Sequence, residues 1–274
     1  MAAAIWRTLL APDQAVGRDQ LDELLDISLD VRHRPVSARG LAARLMLITT
    51  ASLVRCRRLA RAVRTLMEAG LELEAEAVER VLLEAALHVA WMLAKDPLER
   101  SDRLLLRDLD QRIEALEDLK SWVDLSESEQ LKQLETDIAN QTKARDELLK
   151  SYSPPPPRRR LKRPPDFRQL VDELSNDTGV DYRSAYDFAY RHGSRARVHA
   201  NLMAIDAFVQ DRPLPNGDRM VDEDGPGTRS AFKPYVTSAQ WLAVALAAAA
   251  ARSPSSYPWN PRVSEIGQEL LLLR

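Results

Sequence analysis

The sequence predicts an all-α fold, a helical bundle with a projecting antiparallel helical hairpin, and three observations carry this. Glycine is scarce, 9 of 274 residues, while Ala, Leu, Arg and Glu recur throughout, so the chain is rich in strong helix formers and poor in β-branched runs. Apolar residues return every three or four positions over long segments, the spacing of one helix face. With 45% hydrophobic and 29% charged residues the balance is that of a globular chain. We read residues 1–274 as a single all-helical domain, with the hairpin arm over 97–150 and a Pro/Arg-rich linker over 151–165.

The first expected helix, Asp19 to Val31, turns Leu21, Leu24, Leu25 and Ile27 inward, and Pro35 ends it. Ser37 opens a long helix to about Ala69, with Gly70 as its stop. Between Val31 and Met67 there are nine arginines and no carboxylate, whereas the stretch from Glu68 to Glu84 is acidic. The net charge of -2 therefore hides a strong segregation. Arg57, Arg61 and Arg64 share one face of this helix. Such a ridge is either neutralised by the acidic helix that follows or free to track nucleic-acid phosphates.

The third helix, from about Glu72 to Lys95, is apolar nearly all round after Ala77, as a central bundle helix must be. One polar stripe crosses it, Glu76, Arg80, Glu84 and His88, each four residues after the last. Charged groups on so apolar a helix need partners, and the stripe is expected to meet another polar cluster. Asp96, Pro97 and Glu99 then read as acceptor, first-turn proline and third-position carboxylate of a helix start. That helix runs to about Val123 with Leu105, Leu109, Ile113 and Leu116 as its stripe. Ser126 with Glu129 starts the next, through Lys150, on Leu131, Leu134, Ile138 and Leu148. Two thinly apolar helices joined by a short turn make the hairpin arm, a device suited to dimerisation.

Four consecutive prolines, 154–157, exclude helix from the linker. Its Arg158, Arg159 and Arg160 form a basic tether able to contact phosphates. A short helix from Asp166 to about Leu174 leads into DYRSAYDFAYRHGSRARVHANLMAIDAF, residues 181–208. There Tyr182, Tyr186 and Tyr190 recur every four residues, and Ser194 caps a second run carrying Arg195, Arg197 and His199. Residues 210–233, rich in Pro, Gly and Asp, read as a loop. A buried Ala-rich helix over Thr237 to Ala251 and a last one over Ser264 to Leu273 complete the chain.

Cys56 is the only cysteine, which excludes an intrachain disulfide and fits a reducing cytoplasm. No secretory leader is recognised at the N-terminus, and the longest apolar run, Trp241 to Ala251, is too short to span a bilayer. Neither dinucleotide- nor phosphate-binding glycine loops occur, nor a nucleophile elbow, an HExxH or a CxxC pair. Glu84 and His88 are four apart rather than three and have no second copy, so neither metal nor cofactor is expected. What remains is His199 with Arg195 and Ser194, supported by Arg80, Glu84, His88, Tyr186 and Tyr190. A histidine there could take a proton from a ribose 2'-hydroxyl while an arginine steadies the charged phosphorane, a metal-independent RNA cleavage. The other reading is a histidine tied into a hydrogen-bond network that locks the bundle.

RTLMEAGLELEAEAVERVLLEAALHVAWML, with Arg80 and Glu84, followed by the tyrosines, Ser194 and His199, resembles a bacterial domain-of-unknown-function family of helical proteins over roughly residues 40–205. More distantly the chain resembles the HEPN superfamily. That resemblance implies an RNA-associated, homodimeric cytoplasmic protein, a ribonuclease toxin or phage-defence effector. In the superfamily's ribonucleases four to six residues separate an arginine from the histidine; here three lie between Arg195 and His199. A non-catalytic helical binding or scaffold protein, its buried polar residues structural, is the alternative.

Overall fold

The structure, a computed structural model, describes residues 14–29, 41–122, 128–151, 165–187, 234–252 and 260–272. Among the described residues every regular element is helical: α1 (Gln14–Ile27), α2 (Leu41–Glu68), α3 (Glu72–Ala94), α4 (Pro97–Trp122), α5 (Ser128–Ser151), α6 (Phe167–Thr178), α7 (Tyr182–Ala185), α8 (Pro234–Arg252) and α9 (Asn260–Leu272). The chain divides into two compact units, residues 96–166 and the remainder.

In the larger unit α3 and α8 form the core. α8 packs on α3, α1, α2 and α9, while α3 also packs on α2 and α6. The all-round apolar character of α3 is matched by burial on most sides: Leu82, Leu83, Leu87, Trp91 and Met92 are fully buried. Each such side chain contributes on the order of 2 kcal/mol by leaving water. α8 begins at Pro234, not Thr237, and its 19 residues give the one described helix long and apolar enough to cross a membrane. Most of it is buried inside the protein, the mark of a core helix.

α1 begins at Gln14, five residues before the expected start. Gly17 sits where the helix meets α8, and a Cβ there would lie 2.3 Å from a Val236 methyl and 2.9 Å from its backbone nitrogen. Only glycine permits that approach. α1 is also fastened to α9 by a two-pronged pair, Arg262 Nη2 to Glu23 at 2.7 Å and Arg262 Nε to the other oxygen at 2.5 Å. These bonds hold the Glu23 carboxyl below its usual range. α2 ends as expected: Gly70 has φ +75°, Leu71 N–H returns to the Leu66 carbonyl at 2.9 Å and Gly70 N–H to Met67 at 3.2 Å. This is a Schellman stop.

Residues 96–166 contain α4 and α5, which pack on each other. Two cross-helix ion pairs, Lys120–Glu135 at 2.9 Å and Arg145–Asp110 at 3.9 Å, fix their sense, since partner numbers fall on one helix as they rise on the other. The helices are antiparallel. Leu106, Leu109 and Leu148 form a small apolar core with Leu105 against it. Pro97 is the first residue of α4, as expected, and Asp96 before it takes φ +43°, a left-handed conformation that aspartate tolerates better than most residues.

Candidate functional site

The polar stripe of α3 runs from the interior to a half-buried edge. Glu76 is 8% exposed, and Arg80, Glu84 and His88 are half-buried. His88 Nδ1 lies 2.7 Å from the Glu84 carbonyl oxygen one turn back. A carbonyl only accepts, so Nδ1 carries the proton and Nε2 is the basic atom of the neutral ring.

From His88 a row of rings leads off the helix. The imidazole stacks on Phe167, centroids 5.6 Å apart and planes 13° from parallel. Phe167 meets Tyr186 edge-on at 5.5 Å and 68°. Edge-to-face and offset-stacked rings are the favourable arrangements for such quadrupoles. α6 is held on α3 by a second tie, Trp91 Nε1 donating to Glu173 at 2.8 Å.

The local sequence explains how Tyr186 arrives there. Gly179 turns the chain out of α6 at φ +72°. Asp181 then caps α7, accepting from Ser184 N–H at 3.1 Å and from its hydroxyl at 2.6 Å, bonds that hold the Asp181 carboxyl low. Arg183 pairs back to Asp172 on α6 at 2.6 Å. Burial raises the Tyr182 phenol. The helix expected through the tyrosines is four residues long as α7, and Tyr186 and Asp187 continue it as a wider π-type turn. His88, at the end of the α3 stripe, and Tyr186 thus flank the same Phe167 ring.

Several expected residues lie outside the described ones: Tyr190, Ser194, Arg195 and His199 of the focal segment, Arg158, Arg159 and Arg160 of the linker, the Ser126 cap and the 210–233 loop. The arginines of α2 are all described and fall into distinct surroundings. Arg57 is buried and its Nε donates to the Leu25 carbonyl at 3.2 Å, in the last turn of α1. There it satisfies an end carbonyl and complements the helix dipole. Arg64 pairs with Asp22 at 2.9 Å and with Glu68 at 3.3 Å. Arg61 is exposed. The ridge's neutralising partners are thus α1 and its own last turn, where the sequence suggested the acidic third helix.

Sequence reasoning passed over Glu79, one position before Arg80 of the stripe. It is 5% exposed, between α3 and α8. Its Oε1 accepts the indole N–H of Trp241 at 3.3 Å, and the Thr237 hydroxyl also bonds it. Burial pushes its carboxyl up to about 7, with Glu76 adding to the rise and the two hydrogen bonds opposing it. Trp241, an indole on an otherwise Ala-rich helix, was the available signal, because a buried indole N–H calls for an acceptor. Cys56 is buried and its thiol is pushed up to about 12 by that burial, so it is an inert core residue. Among the described residues no three His, Cys, Asp or Glu side chains gather as a metal ion would require.

Residues 46–216 match the family of unknown function DUF5677. No curated protein and no solved structure matches the chain.

Proposed function

This chain belongs to DUF5677, a family of unknown function, and we propose that it is a HEPN-like RNA-associated protein acting in the cytoplasm as a homodimer. His199 is its general base for metal-independent RNA cleavage, Arg195 steadies the developing phosphorane charge, and Ser194 is the third member of the catalytic group. The biological setting that fits such a ribonuclease is that of a toxin or phage-defence effector. One observation carries the reading: Tyr186, eight residues before Ser194, rests on Phe167, which is stacked on His88. Tyr186, thirteen residues before His199 in the sequence, thus rests on a ring stacked against the polar stripe of α3.

The test compares cells expressing wild type, His199→Ala and Arg195→Ala, with thermal unfolding of each purified protein measured alongside. Growth arrest and degraded RNA with wild type, abolished in both variants at unchanged stability, is the expected result. Intact RNA in all three would end the catalytic reading. Light scattering reads the dimer, and a monomeric mass would remove that part.

A second reading has its own support, a non-catalytic helical binding or scaffold protein in which Arg80, Glu84, His88, Ser194 and His199 are structural. His88 is engaged on two sides, by the Glu84 carbonyl and by the Phe167 ring. Loss of folding in His199→Ala, with RNA untouched by wild type, selects this reading.

A further inference from the structure

α2 presents a cationic ridge different from the one its sequence suggests. Arg57 and Arg64 are committed to Leu25, Asp22 and Glu68. Arg55, Arg58 and Arg61 are exposed, and among the described residues no carboxylate pairs with any of them. At three-residue spacing they follow one side of the helix, rising about 4.5 Å from one to the next. The same outward side carries Leu47, Ala51 and Thr65, also exposed, and no carboxylate occurs from residue 31 to residue 67.

We propose that Arg55, Arg58 and Arg61 form a binding surface for the phosphate backbone of RNA. This rests on the RNA-associated reading above and adds to it where the strand lies. Guanidinium groups hold their charge at any physiological pH and hydrogen-bond phosphate oxygens through a planar fork. Among the described residues these three arginines have no ion pair to give up on binding, whereas a phosphate at Arg57 would draw its guanidinium from the Leu25 carbonyl. A membrane headgroup layer is the poorer fit. The apolar side of α2, with Leu53, Cys56, Ala60 and Val63 buried, is spent on the core and leaves little to insert between lipids.

The experiment titrates a fluorescent uridine oligonucleotide with the full chain over a series of salt concentrations. Wild type is compared with the triple variant Arg55→Ala, Arg58→Ala, Arg61→Ala. A charge-matched control removes three ion-paired arginines outside the ridge, Arg18→Ala, Arg112→Ala and Arg145→Ala. Alanine at exposed helical positions preserves α2, and circular dichroism checks it. The ridge variant is expected to bind at least tenfold more weakly. Its log-log salt slope should be shallower by about 2, at about 0.7 per phosphate contact on a single strand. The control should bind close to wild type. A ridge variant that binds as wild type does overturns this proposal and leaves the RNA-associated reading standing. A wild type that binds no RNA at any salt overturns both, as does arginine-dependent binding to phosphatidylserine vesicles with none to RNA.

Discussion

Glu79 of α3 and Trp241 of α8, 162 residues apart in sequence, share a hydrogen bond of 3.3 Å inside the core. The indole finds its acceptor there, but the acceptor is an ionisable group withdrawn from water beside Glu76. The contact between α3 and α8 therefore contains a buried titratable group.

Stability is expected to fall as pH rises through neutrality. The Glu79 carboxyl moves from 4.5 in the open chain to about 7 in the fold, so the folded protein holds this proton more tightly. That preference is fully present below pH 4.5 and is lost as pH passes about 7. It amounts to on the order of 3 kcal/mol. Urea unfolding of wild type and Glu79→Gln at pH 5 and pH 8 isolates it from other titrating groups. The variant gains on wild type between the two, because the amide keeps an oxygen for Trp241 and has no charge to bury. Parallel pH profiles would show that the site is hydrated.

Gly17→Ala should be among the more damaging single-methyl changes in this chain. The added Cβ meets Val236 at its methyl and its backbone, so relief requires moving α8 and not merely turning a rotamer. Overpacking of that kind costs about 1–3 kcal/mol, set against the roughly 1 kcal/mol that alanine gains over glycine within a helix. Pairing Gly17→Ala with Val236→Ala removes the methyl contact and should recover part of the loss in thermal unfolding. A stabilised Gly17→Ala would place α1 farther from α8.

Much of this was legible in the chain, for identifiable reasons. α3 declared itself central because apolar residues surround it, and Gly70 marked a stop because it supplies the positive φ that a Schellman turn requires. The stripe ending at His88 was visible as four-residue spacing. Periodicity says which residues share a face and is silent on which helix that face meets. Arg57 consequently reads as one member of a cationic ridge with Arg61 and Arg64 when it caps α1, and Glu79 lies just off the four-residue spacing of the stripe. Phe167 carried no motif, and its role follows from packing between His88 and Tyr186. Gly17 hid the true start of α1, since glycine usually argues against helix.

Arg57 and Arg61, one turn apart on α2, should behave oppositely on truncation. Arg57→Ala strips the Leu25 carbonyl of a charged donor in a buried setting, worth about 1.5–3 kcal/mol. Arg61→Ala removes an exposed side chain, and such changes stay within about 0.5 kcal/mol. Chemical denaturation midpoints distinguish them. Equal, small losses would mean that the Ser28 hydroxyl, which also donates to the Leu25 carbonyl at 3.0 Å, satisfies the end of α1 without the guanidinium.

The ring row is testable by a double-mutant cycle. His88→Ala and Phe167→Leu each remove one partner, and the double variant reports their coupling. A stacked pair of this geometry should couple by about 0.5–1.5 kcal/mol beyond the buried area it shares. Phe167→Leu also withdraws the edge on which Tyr186 rests, so near-ultraviolet circular dichroism should lose tyrosine signal while far-ultraviolet helix content is kept. Coupling indistinguishable from zero, with the tyrosine signal intact, would mean that Tyr186 is held by something other than the Phe167 ring. The observation on which the proposed function rests would then be gone, while the bundle itself would stand.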